Sequence, residues 1–180
     1  MSSEETLFSN LITNGFTTPD SLKNPVKVNK IDAQHESRRS ENWWSKNYQG
    51  ILEPEMKKNK ILINKILKFG GHEVCMPLIE EDFKNIINRG VFIYGHGACL
   101  IKGNPSDCHR NSCAIYENDG SGDIIIMTGY ALSSDGLWRQ HSWCYDMEIQ
   151  QVIETTKKRV AYFGFPMTHD EADDFCFDNF

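Results

Sequence analysis

Leu137-Trp138-Arg139-Gln140-His141-Ser142-Trp143-Cys144-Tyr145 is followed after a short break by Gln151-Val152-Ile153-Glu154-Thr155-Thr156. Both segments are rich in aromatic and β-branched residues, which predicts two successive strands. A two-residue loop at Met147-Glu148 would make them a hairpin with His141 directly opposite Glu154. The two Cβ atoms would then stand about 5 Å apart on one face. A carboxylate so placed accepts from the imidazole N–H and fixes its tautomer. A slip of one residue would put the two side chains on opposite faces, so the geometry depends on the loop.

The chain on either side extends this sheet. Ile124 to Leu132 and Val160 to Phe163 read as further strands, and Ser133-Ser134-Asp135-Gly136 suits a hairpin turn. Val91 to Tyr94 is a short apolar strand upstream. Helical spacing appears from Glu53 to Phe69, with Met56, Lys60, Ile63 and Leu67 in one row and Ile61, Leu62 and Ile66 nearby. Pro54 fits its first turn and Gly70-Gly71 its end. Glu80 to Asn88 reads as a second helix with Phe83, Ile86 and Ile87 inward and Gly90 as its stop. Ser106 to Glu117 is a third, with Ser106 as N-cap. Thr168 to Phe177 is a fourth, opened by a capping box from Thr168 to Glu171. Helices, one strand, a helix and an antiparallel meander make an α+β plan.

The third helix carries Cys108 in its first turn. Unpaired backbone N–H groups and the helix dipole favour negative charge there, which lowers a thiol toward thiolate. The same amides can hold an oxyanion. A thiol at a helix start, with a His oriented by a carboxylate, is the arrangement of cysteine hydrolases and acyltransferases. His141 would exchange the proton and Glu154 would orient and charge-stabilise it. Asn111, one turn after Cys108 on the same face, is either an oxyanion donor or a brace for the neighbouring strand.

These residues occur in a telling order. Cys108-His109-Arg110-Asn111-Ser112 comes first, then Gly129-Tyr130-Ala131, His141-Ser142-Trp143, Val152-Ile153-Glu154-Thr155-Thr156 and Tyr162-Phe163-Gly164. The order resembles a bacterial and phage group of papain/transglutaminase-like proteins. Its members show Cys-x-x-Asn at a helix start, a Gly-Tyr-Ala strand, a His-x-Trp strand and an Asp-x-Thr strand. The match spans about residues 91 to 165. The resemblance implies a papain/transglutaminase-like fold, helices followed by an antiparallel sheet packed on the helix that bears the nucleophile. It implies Cys108 as nucleophile, His141 as base and Glu154 as third member, with Glu standing where the pattern has Asp.

Competing assignments surround this triad. Cys99, within Gly95-His96-Gly97-Ala98-Cys99, is the rival nucleophile, since glycines allow close backbone approach to a ligand. Pro105 and Ser106 place the helix start after it. Together with Asn111 and Trp143 it is otherwise a candidate for the substrate or oxyanion side. Trp138 and Trp143 have opposite strand parity, so one belongs to the core and the other is free to line a cleft. Cys113 falls well inside the helix. His96, Cys99, Cys108, His109 and Cys113 suggest zinc, but their intervals lack the paired knuckles structural zinc prefers. Neither a metal nor another cofactor is expected.

Composition sets outer limits. The 180 residues fit residues 51–180 as one catalytic domain behind a partly irregular N-terminal arm of residues 1–50. Leu7, Leu11 and Ile12 would support one short helix there, Thr17 to Ser45 an extended arm, and Trp43-Trp44 would pin that arm to the core. Net charge −6 and the lack of a basic stripe argue against nucleic acid, while a protein or peptide substrate is expected. Residues 1–20 carry no apolar leader, and no run approaches the roughly 20 apolar residues that span a bilayer. The expectation is a cytoplasmic protein with six reduced cysteines rather than three disulfides. The acidic run Asp170 to Asp174, followed by Phe175, Phe177 and Phe180, reads as a solvated helix face with an apolar face behind it. Its other reading is a delivery address for an effector. The function expected is therefore a thiol-dependent hydrolase or acyltransferase acting on an amide: a deamidase, peptidase or transglutaminase. The alternative is a non-catalytic binding or inhibitor protein that kept the fold.

Overall fold

A computed structural model describes residues 53–77 and 79–180. The expected N-terminal arm, its short helix and the Trp43-Trp44 pin lie outside the described residues. Among the described residues, four helices and seven strands follow in the order α1 (Glu53–Ile66), β1 (Glu73–Cys75), α2 (Phe83–Arg89), β2 (Val91–Tyr94), β3 (Cys99–Leu100), α3 (Cys108–Glu117), β4 (Ile124–Leu132), β5 (Leu137–Asp146), β6 (Gln151–Glu154), β7 (Ala161–Pro166) and α4 (His169–Asn179). A 3₁₀ turn, Leu67–Phe69, ends α1 before Gly70, and another, Gly95–Gly97, follows β2.

The strands make one sheet in the order β2-β7-β4-β5-β6-β3, with β1 also on β5. All pairs are antiparallel except β1 with β5 and β3 with β6. The protein is thus a mixed α+β fold around a curled, mostly antiparallel sheet. All nine residues of β4 are buried, because both faces of this central strand are covered. Period-2 alternation divides the core in two. Ile126, Tyr130, Leu132 and Trp138 pack with Leu62 and Ile66 of α1, Ile86 of α2, Cys113 of α3 and Cys176 of α4. On the opposite face, Ile125, Met127, Ala131, Trp143, Tyr145, Val152 and Tyr162 pack together with Ala98.

Several boundaries differ from the sequence reading. In α1, Leu62 and Ile66 are buried while Met56 and Ile61 are half exposed, so the inward row is shifted from the Met56 register. Glu80 is not helical. It is buried in the turn before α2, where it accepts from the Tyr130 hydroxyl. β1 and β3, too short to show a period, had no sequence signature. In α4 the capping box at Thr168 and Glu171 is present. Its apolar face consists of Ala172, half-buried Phe175 and Cys176, whereas Phe177 and Phe180 are exposed. No helix among the described residues is long and apolar enough to cross a membrane.

Two glycines set the sheet's spacing near its centre. Gly129 pairs with both His141 and Gly164. Its φ is +155°, and a Cβ there would lie 2.4 Å from the Phe163 carbonyl oxygen. A Cβ on Gly164 would lie 2.2 Å from the Thr128 carbonyl oxygen and 2.7 Å from the Trp143 ring. β4 and β7 therefore approach as closely as only glycine permits.

Candidate active site

The ladder on one edge of β5 is interrupted. β1 pairs with Leu137, Trp138 and Arg139, and β6 pairs with Cys144, Tyr145 and Asp146. Residues 140–143 have no strand on that side. Buried backbone donors must find partners, and the start of α3 supplies one, since the Ser142 amide bonds the Cys108 thiol.

The hairpin loop differs from the two-residue turn expected at Met147-Glu148. β5 ends at Asp146 and β6 begins at Gln151, with Asp146 opposite Gln151 and Cys144 opposite Ile153. Asp146 stabilises the longer loop by accepting from the amides of Glu148 and Ile149. Continuing this register sets Glu154 opposite Trp143 rather than His141. The shift is two residues, so parity is preserved and Glu154 still shares a face with His141. The carboxylate reaches it along the diagonal, with His141 Nε2 at 2.9 Å from Oε2 and 3.1 Å from Oε1.

Glu154 is fully buried and surrounded by donors. Oε1 accepts from the Thr155 amide at 2.9 Å, the Thr156 amide at 2.8 Å and the Thr156 hydroxyl at 2.9 Å. Oε2 accepts from the Tyr162 hydroxyl at 3.0 Å. Burial alone would raise its pKa. The His141 hydrogen bond and charge, with the Thr156 donors, outweigh burial and hold it at about 2. The acidic-x-Thr motif thus has a local cause: the Thr two residues on wraps back to solvate the carboxylate.

His141 is 2% exposed. Its ring stacks near-parallel with Trp143 at 6.3 Å and with Tyr162 at 6.5 Å, which fixes its plane. Nε2 faces Glu154, and the Cys108 thiol is the second hydrogen-bond and charge partner of the imidazole. Burial opposes a charged imidazole, but the bonds to Cys108 and Glu154 and their negative charges outweigh it and raise its pKa. Burial likewise opposes a thiolate at Cys108. The His141 hydrogen bond and charge, then the amides of Ser142 and His109, overcome it and lower the thiol pKa. Sulfur, imidazole and carboxylate form one connected line.

Cys108 is the first residue of α3, with Asp107 as N-cap. Ser106, expected as the cap, instead sits at φ 59° in the left-handed region, where it turns the chain into the helix. Asn111 holds that turn. Its amide donates to the Asn104 carbonyl at 2.8 Å and its oxygen accepts from the Asn104 amide at 3.0 Å. Gly103 makes room, because a Cβ there would lie 2.5 Å from the Asn111 side chain. Asn111 is thus engaged in bracing the loop before the helix, neither a strand nor a free oxyanion donor. Trp143 is fully buried behind the imidazole, out of reach of a substrate. Trp138, also fully buried, donates to the Gly70 carbonyl on the other face. Cys99 lies exposed on the edge strand β3, paired with Ile153 and apart from the imidazole line.

Three features escaped the sequence reading. The Tyr162 hydroxyl on Glu154 follows from a strand pairing no motif announces. A second imidazole, His109, bonds through Nδ1 to Ser142 Oγ at 2.7 Å, and Ser142 Oγ donates to Thr128 Oγ1 at 2.9 Å. A cleft of about 580 Å³ passes His109 and Gln140, the chain neighbours of Cys108 and His141. Phe165, Phe175 and Met167 line it together with carboxylates of the turn before α2 and of α4.

The chain has no significant match among protein-family models, curated proteins or solved structures.

The remaining cysteines are of another kind. Cys113, Cys144 and Cys176 are buried, and burial raises all three thiols, Cys144 to about 12. All six cysteines are free. Among the described residues no three His, Cys, Asp or Glu side chains gather into a set that could hold a metal ion.

Proposed function

We propose that this chain is a cysteine-nucleophile hydrolase or acyltransferase acting on an amide, of the papain/transglutaminase-like kind, with Cys108, His141 and Glu154 as its triad. The observation that carries the reading is the buried imidazole bonded on one side to a carboxylate with its full complement of donors and on the other to a half-buried thiol of lowered pKa. The Cys108–His141 hydrogen bond favours catalysis over the alternative of a binding protein that kept the fold. A binding role alone does not call for a thiol of lowered pKa beside a charge-partnered imidazole.

The chemistry follows from the proton inventory. Thiolate 108 attacks the amide carbon and the carbonyl oxygen becomes an oxyanion. The amides at the start of α3 have no intrahelical acceptors and supply its donors. Imidazolium 141 protonates the leaving nitrogen, the C–N bond breaks and a thioester remains. Water or an amine then attacks the thioester, gives its proton to His141 and releases the thiolate. Hydrolysis and transfer share every step up to the thioester, so deamidase, peptidase and transglutaminase activities all fit. A protein or peptide is the proposed substrate class, and the cytoplasm, of a bacterium or of a host reached by delivery, the proposed compartment.

The test is Cys108→Ala against the unaltered chain. Iodoacetamide should alkylate Cys108 at neutral pH well ahead of exposed Cys99, and the fast reaction should vanish in the variant. Candidate proteins are then screened by mass spectrometry for deamidation, cleavage or cross-linking. Equal labelling with and without Cys108 would remove the reactive-thiol claim.

A further inference from the structure

Consecutive residues of α3 meet consecutive residues of β5. Cys108 bonds His141 and His109 bonds Ser142. The second contact continues inward, because Ser142 Oγ donates to Thr128 Oγ1 on β4. Ser142 is fully buried and Thr128 is 3% exposed at the wall of the cleft, so the Ser142 hydroxyl depends on these two partners. In that arrangement Ser142 accepts from His109, whose tautomer then carries its proton on Nδ1. The ring is also held edge-on against Phe175 of α4 at 5.5 Å. His109 is therefore fixed from two elements beside the stretch of β5 whose edge is open between β1 and β6.

We propose that His109 is a positioning residue: its imidazole, bonded through Nδ1 to Ser142, locks the start of α3 onto β5 and thereby holds the Cys108 thiol against His141. This rests on the thiol-imidazole reading above and deepens it. Without the His109–Ser142 contact, the first turn of α3 keeps the reacting sulfur against β5, and the next side-chain bond between the two elements lies a turn on, from the Cys144 thiol to the Ser112 carbonyl at 3.4 Å. Displacing an attacking group by about 1 Å can cost on the order of a hundredfold in rate.

The charge state matters as much as the bond. Burial and the neighbouring His141 lower the His109 pKa against the opposing pull of Asp107, so His109 takes up its proton at lower pH than His141. Other carboxylates, Glu81 and Asp82 from the turn before α2 and Glu171, Asp174 and Asp178 from α4, line the same cleft. A proton added to His109 would stand beside imidazolium 141 and weaken the thiolate–imidazolium pair. Imidazolium 109 would still donate from Nδ1, so the contact itself survives and protonation acts through charge alone, contributing to the loss of thiol reactivity on acidification.

The experiment follows iodoacetamide alkylation of Cys108 by mass spectrometry from pH 4 to 9, with exposed Cys99 as internal reference and thermal melts as a check on folding. His109→Ala and Ser142→Ala should each slow Cys108 about tenfold or more without changing Cys99. His109→Asn places an amide N–H where Nδ1–H stands and does not titrate. It should stay within about threefold of the unaltered chain near neutrality, and its rate should fall less steeply on the acid side. If folded His109→Ala and Ser142→Ala keep the original rate and profile while Cys108 outpaces Cys99, the lock is overturned and the triad reading stands. A loss in His109→Asn equal to that in His109→Ala overturns the hydrogen-bond account. Cys108 reacting no faster than Cys99 in the unaltered chain overturns both readings.

Discussion

Glu154 approaches His141 diagonally from the end of the β5–β6 ladder, its carboxylate 2.9 Å from Nε2, whereas the register of Cys144 with Ile153, carried one step on, sets it opposite Trp143. Diagonal neighbours stand roughly 7–8 Å apart, their Cβ atoms somewhat closer, against about 5 Å for a direct pair. The extra methylene of Glu over Asp spans that difference. Glu154→Asp is therefore expected to retract the carboxylate from the imidazole. His141 loses its charge partner and Cys108 is expected to alkylate about tenfold more slowly near pH 7. Wild-type reactivity in that variant, measured as the pseudo-first-order rate on the Cys108 peptide, would sink the diagonal account.

The same carboxylate gives the fold an acid limit. Its folded pKa of about 2 lies below the ordinary value of 4.5. A depressed carboxylate contributes stability that is complete above the unfolded pKa and lost as pH falls through the folded one. The window is thus about pH 4.5 down to about 2, and the contribution amounts to about 3 kcal/mol. Glu154→Gln is expected to be less stable at neutral pH, and to lose less further stability between those limits. Urea midpoints measured across the window check the slope. Parallel slopes would show that the buried charge is not linked to folding.

His141 carries the opposite sign. Its raised pKa means stability fully present below about 6.5 and lost as pH rises through the higher folded value. Cys108, with its pKa lowered, contributes above its ordinary value and loses that contribution as pH falls through the folded one. The thiolate–imidazolium pair is therefore most populated between the folded values of the two groups. In the unaltered chain, the rate of alkylation of Cys108 should hold a plateau extending below the ordinary thiol range. His141→Ala should remove the plateau and leave a single rise toward the free-thiol pKa. An unchanged profile would show that the imidazole does not activate the sulfur.

Much of this site could be read from residue order, and the reasons for success and failure are physical. Parity along a strand is a period-2 property, so His141, Trp143 and Glu154 share a face whichever even register the hairpin adopts. Loop length was not readable, because Asp146 builds a four-residue turn by accepting amides that no local motif marks as turn-forming. Ser106 reads as an N-cap by residue type. Asn111 holds the loop in a different path through two hydrogen bonds to Asn104, a contact that only tertiary structure supplies. The roles of His109 and Tyr162 needed the β4–β5 and β4–β7 registers together, and short strands such as β1 and β3 carry too few residues to show a period.

Gly129 tests whether the close approach of β4 and β7 supports the site from behind. It faces His141 across the β4–β5 ladder, and a methyl group there would meet the Phe163 carbonyl oxygen at 2.4 Å. Its φ of +155° adds backbone strain for any L side chain. Neither strand can yield easily. β7 carries Tyr162, which donates to Glu154, and Phe163, which is packed in the helix-covered core. Gly129→Ala is expected to cost about 3 kcal/mol or more, from overpacking and backbone strain together. Any folded fraction should alkylate Cys108 more slowly, because moving β7 draws the Tyr162 hydroxyl from the carboxylate that orients His141. Thermal melts and the alkylation rate of the native fraction separate the two effects. A variant as stable and as reactive as the original would mean that the sheet relaxes there without disturbing the line from Glu154 to Cys108.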